Sequence, residues 1–227
     1  MPLHPPVRLA QHAGHRVVTG PAAEPVTLAE MQALLRNPPS DENAFISLCI
    51  TEARAVFETI TNIACINQTW KLTLDRWPGG PEPWWDGTRE LPVTELYTQR
   101  GAPRHVLLPK YPLSSVSSVT TYDTADASTS VTVNNVFFTD TASYPGRLCL
   151  RSGQVWPIAL RDHNSIEIQY VAGFGSAESD VPAVLKRAIQ QMAAYLYDNR
   201  GTGCSPEAII TGSGALQIAA EYVTVRI

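Results

Sequence analysis

Gln68-Thr69-Trp70-Lys71-Leu72-Thr73-Leu74-Asp75 is where the periodicity of this 227-residue chain changes. Trp70, Leu72 and Leu74 fall on one face and polar residues on the other, which is the period-2 pattern of a half-buried strand. Ahead of this stretch the apolar residues recur at helical spacing. Beyond it come further strand candidates with no helical crossover between them, so antiparallel pairing is predicted. The fold class read from this switch is α+β: a helical bundle of about three main helices with an inserted antiparallel β subdomain.

Upstream, Thr27 is a good N-cap and Glu30 completes a capping box. Leu28, Met31, Leu34 and Leu35 form one apolar stripe, and Pro38-Pro39 stops the helix because proline cannot donate the next backbone hydrogen bond. Ser40 or Asp41 then caps a second helix, with Asp41 and Glu42 at its positive end. Its core-facing stripe is predicted as Phe45, Leu48, Cys49, Ala53, Val56, Phe57 and Ile60, with fraying at Thr59-Ile60-Thr61-Asn62.

Downstream, strands are predicted over 115–122, 129–133, 136–139, 147–150 and 164–171, separated by turns such as Asn134-Asn135 and Pro145-Gly146. Residues 78–104, with Pro78-Gly79-Gly80-Pro81-Glu82-Pro83-Trp84-Trp85, have no period and read as an excursion from the sheet. A third helix starts at Asp180, with Pro182 in its first turn and Leu185, Ala188, Ile189, Met192, Ala193 and Leu196 as its stripe. Past Gly201 and Gly203, Ser205-Pro206-Glu207 opens a short helix that Gly212-Ser213-Gly214 interrupts, and Tyr222-Val223-Thr224-Val225-Arg226-Ile227 alternates like a strand. The domain plan is an extended arm over 1–25, a helical core from 26–66 and 180–201, a β subdomain over 67–175, and a docking tail over 202–227. That tail is expected to be removable from 203 onward without unfolding the core.

Hydrophobic residues make up 44% and charged residues 17%, the composition of a globular chain of low charge content. A formal charge of -4 argues against a phosphate-gripping nucleic-acid binder, which needs a basic face. No apolar run approaches a membrane span, and 1–20 lacks the apolar stretch of a secretory signal. Cys49, Cys65, Cys149 and Cys204 form no C-x-x-C motif and have no histidine at zinc-ligand spacing, so reduced thiols and no metal are expected. The histidines of the arm, His4, His12 and His15, lack carboxylate or thiol partners nearby and read as loop residues.

No catalytic constellation stands out. Gly173-Phe174-Gly175 and Gly212-Ser213-Gly214 lack the lysine and the strand-to-helix setting of a phosphate loop. Gly201-Thr202-Gly203-Cys204-Ser205 follows a helix, whereas a nucleophile elbow follows a strand. Carboxylates such as Asp75, Asp123, Asp126, Asp140 and Glu167 are scattered, and nothing selects a facing pair. Trp77, Trp84 and Trp85 suit stacking on sugar rings, a subunit-interface anchor, or a small satellite core. Neither a catalytic residue nor a cofactor is expected. Trp84, Trp85, Tyr222, Val223, Val225 and Ile227 are the candidate interface residues.

Four places, in this order and spacing, carry a resemblance: Pro25-Val26-Thr27-Leu28-Ala29-Glu30, Gln68-Thr69-Trp70-Lys71-Leu72, Leu108-Pro109-Lys110-Tyr111-Pro112-Leu113 with Val116 and Val119, and Tyr170-Val171-Ala172-Gly173-Phe174-Gly175 leading to Val181-Pro182. Over about residues 21–200 the chain resembles the head–tail connector (adaptor, head-completion) proteins of tailed bacteriophages. The excursion 78–104 is longer than such connectors show, and the tail after Gly201 does not match cleanly. The resemblance implies a non-enzymatic ring of about twelve identical subunits beneath a portal protein, docking a tail-terminator or stopper protein on its other face. DNA would pass through the lumen without sequence-specific binding. It further implies synthesis in the host bacterial cytoplasm, residence in the virion neck, and no membrane partner. The alternative, from another class, is a carbohydrate- or receptor-binding module of a phage tail built on Trp77, Trp84 and Trp85.

Overall fold

The computed structural model describes residues 13–78, 104–157, 159–200 and 205–222. Along the chain these form β1 (Ala13–Thr19), α1 (Leu28–Leu34), α2 (Asn43–Thr61), β2 (Gln68–Leu74), β3 (His105–Leu107), β4 (Leu113–Tyr122) and β5 (Ser128–Val131). There follow α3 (Val133–Val136), β6 (Phe137–Asp140), β7 (Arg147–Leu150), β8 (Ile166–Ala172), α4 (Ala183–Asp198), α5 (Pro206–Gly212) and α6 (Ala215–Ile218). The fold is α+β, as the change of period at Gln68 requires. The chain divides into two units, a β unit drawn from Met1–Val18, Thr69–Leu108 and Ser115–Val171, and a helical unit drawn from Thr19–Gln68, Pro109–Ser114 and Ala172–Ile227.

In the β unit a five-stranded sheet has the order β1-β2-β8-β4-β5 and a three-stranded sheet the order β3-β7-β6. β4 and β5 pair antiparallel with Val119 opposite Val131, and β7 pairs antiparallel with both β3 and β6. β8 alternates as the sequence suggests, with Ile166, Ile168 and Tyr170 fully buried. Residues 13–19, read from sequence as part of an arm, form the edge strand β1. From Gly14 to Thr19 every residue except the half-buried His15 is exposed, so alternation of polarity could not reveal the strand.

In the helical unit the Thr27 capping box is present: Glu30 N donates to Thr27 Oγ1 at 3.1 Å, and Thr27 N donates to Glu30 Oε2 at 2.8 Å. α1 ends before Pro38, with Arg36 and Asn37 in the left-handed region. A 3-10 turn over Ser40–Glu42 leads into α2, which closes at a left-handed Asn62. The α4 stripe is as predicted, with Leu185, Ala188, Ile189, Met192 and Ala193 fully buried.

The α2 stripe is not as predicted. Ile46, Cys49, Ile50, Ala53 and Phe57 are buried, whereas Leu48 is 59% and Ile60 37% exposed. Apolar residues occur most of the way round this helix, so two stripes share helical spacing, and packing against α4 selects the one containing Ile46 and Ile50.

The tail differs as well. α5 and α6 form where Ser205-Pro206 and Gly214 suggest, with Ser205 Oγ accepting from Ala208 N at 3.2 Å. Ile209, Ile210, Ala215 and Ala219 all belong to the buried core of the helical unit. A deletion from residue 203 would therefore strip side chains from that core, contrary to the expectation from sequence. The helical unit also takes Tyr111, 9% exposed, from a segment that sequence order assigns to the β insert.

Candidate functional site

The most concentrated polar chemistry of the helical unit is a buried ion-pair knot on α2. Arg54 and Glu58 lie one turn apart, with Arg54 Nη1 3.1 Å from Glu58 Oε2. Arg54 Nε donates to Glu24 Oε2 at 2.7 Å. The Glu58 carboxylate also accepts from Cys65 N at 2.8 Å and from Gln68 Nε2 at 2.9 and 2.8 Å. Lys110 Nζ donates to the Glu58 carbonyl at 2.6 Å, and Tyr111 Oη donates to the Thr61 carbonyl at 2.8 Å. Burial pushes the Lys110 ammonium below its ordinary pKa, against the pull of Glu58. Burial also opposes the charge on Arg54, but Glu24 and Glu58 outweigh it and raise its pKa.

Two cations face two carboxylates, and every carboxylate oxygen of Glu58 already accepts a bond. Such a knot fixes the 63–68 and 109–112 segments to α2 and leaves no free base. Sequence reasoning missed it because its members are distributed over residues 24, 54, 58, 68 and 110.

The described thiols, Cys49, Cys65 and Cys149, are not poised as nucleophiles, and Cys204 lies outside the described residues. Burial, with Glu52 adding to it, pushes Cys49 up to about 11. Burial and then Glu58 push Cys65 up, and burial raises Cys149. The scattered carboxylates serve locally. Asp140 accepts from Ser143 Oγ at 2.7 Å and from Arg147 Nη2 at 2.6 Å, which hold its carboxyl down to about 2. Glu167 pairs with Lys71 at 2.8 Å, and Arg161 Nη1 pairs with Asp126 at 3.0 Å. Among the described residues no group of three His, Cys, Asp or Glu side chains is placed to hold a metal, and no helix is long and apolar enough to cross a membrane.

The tryptophan readings separate. Trp77 is 4% exposed and stacks on Trp156, with ring centroids 4.5 Å apart, while Phe137 lies 5.7 Å from Trp77. It is a satellite core residue of the β unit and presents no face to a sugar. Trp84, Trp85, Val223, Val225 and Ile227 lie outside the described residues. Tyr222 lies within them, half-buried, with its ring edge-on to Phe174 at 6.2 Å.

Three surface features remain. A groove of about 340 Å³ on the helical unit is lined by Glu24, Val26, Leu28, Ile50, Thr51 and Glu178 among others. Beside it α2 exposes Ser47, Leu48, Thr51, Ala55 and Thr59, with Glu52 their only charge. On the β unit, β1 leaves a seven-residue sheet edge on which Val17 and Val18 are each 48% exposed.

Comparison with known proteins gives structural likeness only, since no family model and no curated protein matches the chain. A chain in the neck of an empty gene transfer agent (GTA) particle, computed with C6 symmetry, matches with TM-score 0.68 at 23% identity, over 94% of this chain and 97% of that one. A chain in the virion of a native GTA particle gives TM-score 0.68 at 22% identity, over 94% and 96%. A third, in the neck of a native GTA particle computed with C12 symmetry, gives 0.62 at 22% identity, over 94% and 97%. The α+β architecture of this chain is thus shared, over nearly its whole length, with chains of gene transfer agent particles.

Proposed function

We propose that this chain is a structural adaptor of the neck of a phage-like particle. It assembles with itself as a ring of about twelve copies, joins the portal protein to a tail-terminator or stopper protein, and extends the channel through which DNA passes. One observation carries the reading: the fold likeness spans 94% of this chain and 97% of a chain in a GTA neck. The symmetric necks of those particles support a ring, and the use of Glu58 and Asp140 in internal ion pairs supports a role in assembly rather than catalysis. A formal charge of -4 suits a conduit that holds DNA loosely. The proposed contact residues are Trp84 and Trp85 in the excursion 78–104, and Tyr222, Val223, Val225 and Ile227 in the tail. The protein is made in the host cytoplasm and resides in the virion neck.

Deleting 223–227 tests this reading while sparing α5 and α6. The shortened chain is expected to keep its far-UV spectrum and to fail to form a ring on the portal. Undiminished portal binding by the shortened chain would sink the assignment of these residues.

A further inference from the structure

The buried face of the five-stranded sheet is unfinished at β1. Its apolar row runs through Val119 of β4, through Ile166, Ile168 and Tyr170 of β8, and through Leu72 and Leu74 of β2, all 3% exposed or less. His15 of β1 belongs to this face: its ring stacks on Trp70 at 4.6 Å, and its Nε2 lies 2.9 Å from the Tyr170 hydroxyl. Side chains alternate along a strand, so Val17 points the same way as His15. Val17 is nevertheless 48% exposed, because no described strand lies beyond β1 to cover it.

The other sheet ends do not share this character. β5 is four residues, Ser128-Thr129-Ser130-Val131, and β3 and β6 are three and four residues long. Short or polar edges are how proteins blunt strand addition, whereas a long edge with adjacent exposed valines invites it. β1 has seven residues, no proline, and Arg16 as its only ordinary charge.

We propose that β1 receives residues 223–227 of a neighbouring copy as a sixth strand. The inference rests on the ring reading above. The stretch Val223-Thr224-Val225-Arg226-Ile227 is five residues to the seven of β1, and it alternates with period 2. Val223, Val225 and Ile227 would extend the apolar row past Val17. Thr224 and Arg226 would extend the opposite face, where Lys71, Thr73 and Glu167 already give a polar surface. A slip by one residue would invert both matches, so the pattern specifies which side chains meet. Main-chain bonds would supply affinity and the valines register, as in other cases of strand addition. Exchanging one strand per copy in a single direction makes a heterologous contact, the kind that closes rings.

The test uses full-length chains and disulfide trapping. One preparation carries Val17→Cys, and a second carries Val223→Cys, Val225→Cys or Ile227→Cys; the two are mixed and oxidised, and the parent chain gives the background from native thiols. One of the three combinations should yield a bond between different chains, and Val18→Cys on the opposite face should give at least about tenfold less. A Val17→Lys chain, altered at a half-exposed position, should keep its far-UV spectrum and associate about tenfold more weakly. Equal trapping from Val18→Cys, trapping only within one chain when both cysteines share it, or none at all overturns the proposal. A ring that docks on the portal without the bond would retain the neck assignment and lose the sheet edge. The bond in a chain that ignores the portal would do the reverse.

Discussion

Arg54 and Glu58 sit one turn apart on the buried side of α2, 3.1 Å from each other, and Glu58 accepts from Cys65 and Gln68 with the same carboxylate. The helix thereby holds the chain that leaves it. The side chain that ends this arrangement when removed is Glu58. Glu58→Ala would leave the buried Arg54 guanidinium with Glu24 as its one carboxylate partner and the Cys65 and Gln68 donors unanswered, and a cost of about 3–5 kcal/mol is expected in urea unfolding. A loss below about 1 kcal/mol would mean that the knot is not buried as described.

Lys110 gives a pH signature. Its pKa in the folded state lies below the ordinary 10.5, mainly through burial. Between the folded value and 10.5 the unfolded chain holds a proton that the native chain has released, so native stability rises with pH through that window. The parent protein is expected to gain stability relative to Lys110→Met as pH is raised toward 10, measured as the difference between their unfolding free energies. A difference that stays flat or reverses would contradict the buried placement of the ammonium.

The orientation of α2 is testable by contrast. Phe57 is fully buried and Leu48 is 59% exposed on the same helix. Phe57→Ala should cost about 3–5 kcal/mol, and Leu48→Ser should change stability by no more than about 0.5 kcal/mol. Equal costs would restore the stripe predicted from the sequence.

Gly173 has φ +148, and a Cβ built there would lie 2.5 Å from the backbone nitrogen of Asn67. The close approach is also where Gly173 N donates to the Pro112 carbonyl at 2.9 Å. Gly173→Ala is therefore expected to cost at least about 2 kcal/mol, read as a lowered thermal midpoint. A midpoint unchanged from the parent would show that the two backbones do not approach each other.

What could be read from the sequence was what is local. The Thr27–Glu30 box depends on residues three apart, and the α4 stripe on one helix with polar residues opposite, so both stood in the sequence. The span 147–150 of β7 matched because turn residues bracket it. The α2 stripe did not, because a helix apolar on most sides is oriented by its neighbours. β1 was hidden because Val17 and Val18, on opposite faces of this edge strand, are both apolar and both half-exposed, so no alternation shows. The knot was hidden because Glu24, Glu58 and Lys110 meet only through the fold. The burial of Ile209 and Ile210 was masked by the glycines and serines around them, which read as a loose tail. The excursion with Trp84 and Trp85 lies outside the described residues, so its reading rests on sequence alone.

The ring-adaptor account is tested most directly by the mass of the purified protein in solution, alone and then with the portal of its particle, by light scattering. The account expects a monomer or ring that adds a stoichiometric collar of itself to the portal. A compact species whose mass is unchanged by the portal would contradict it.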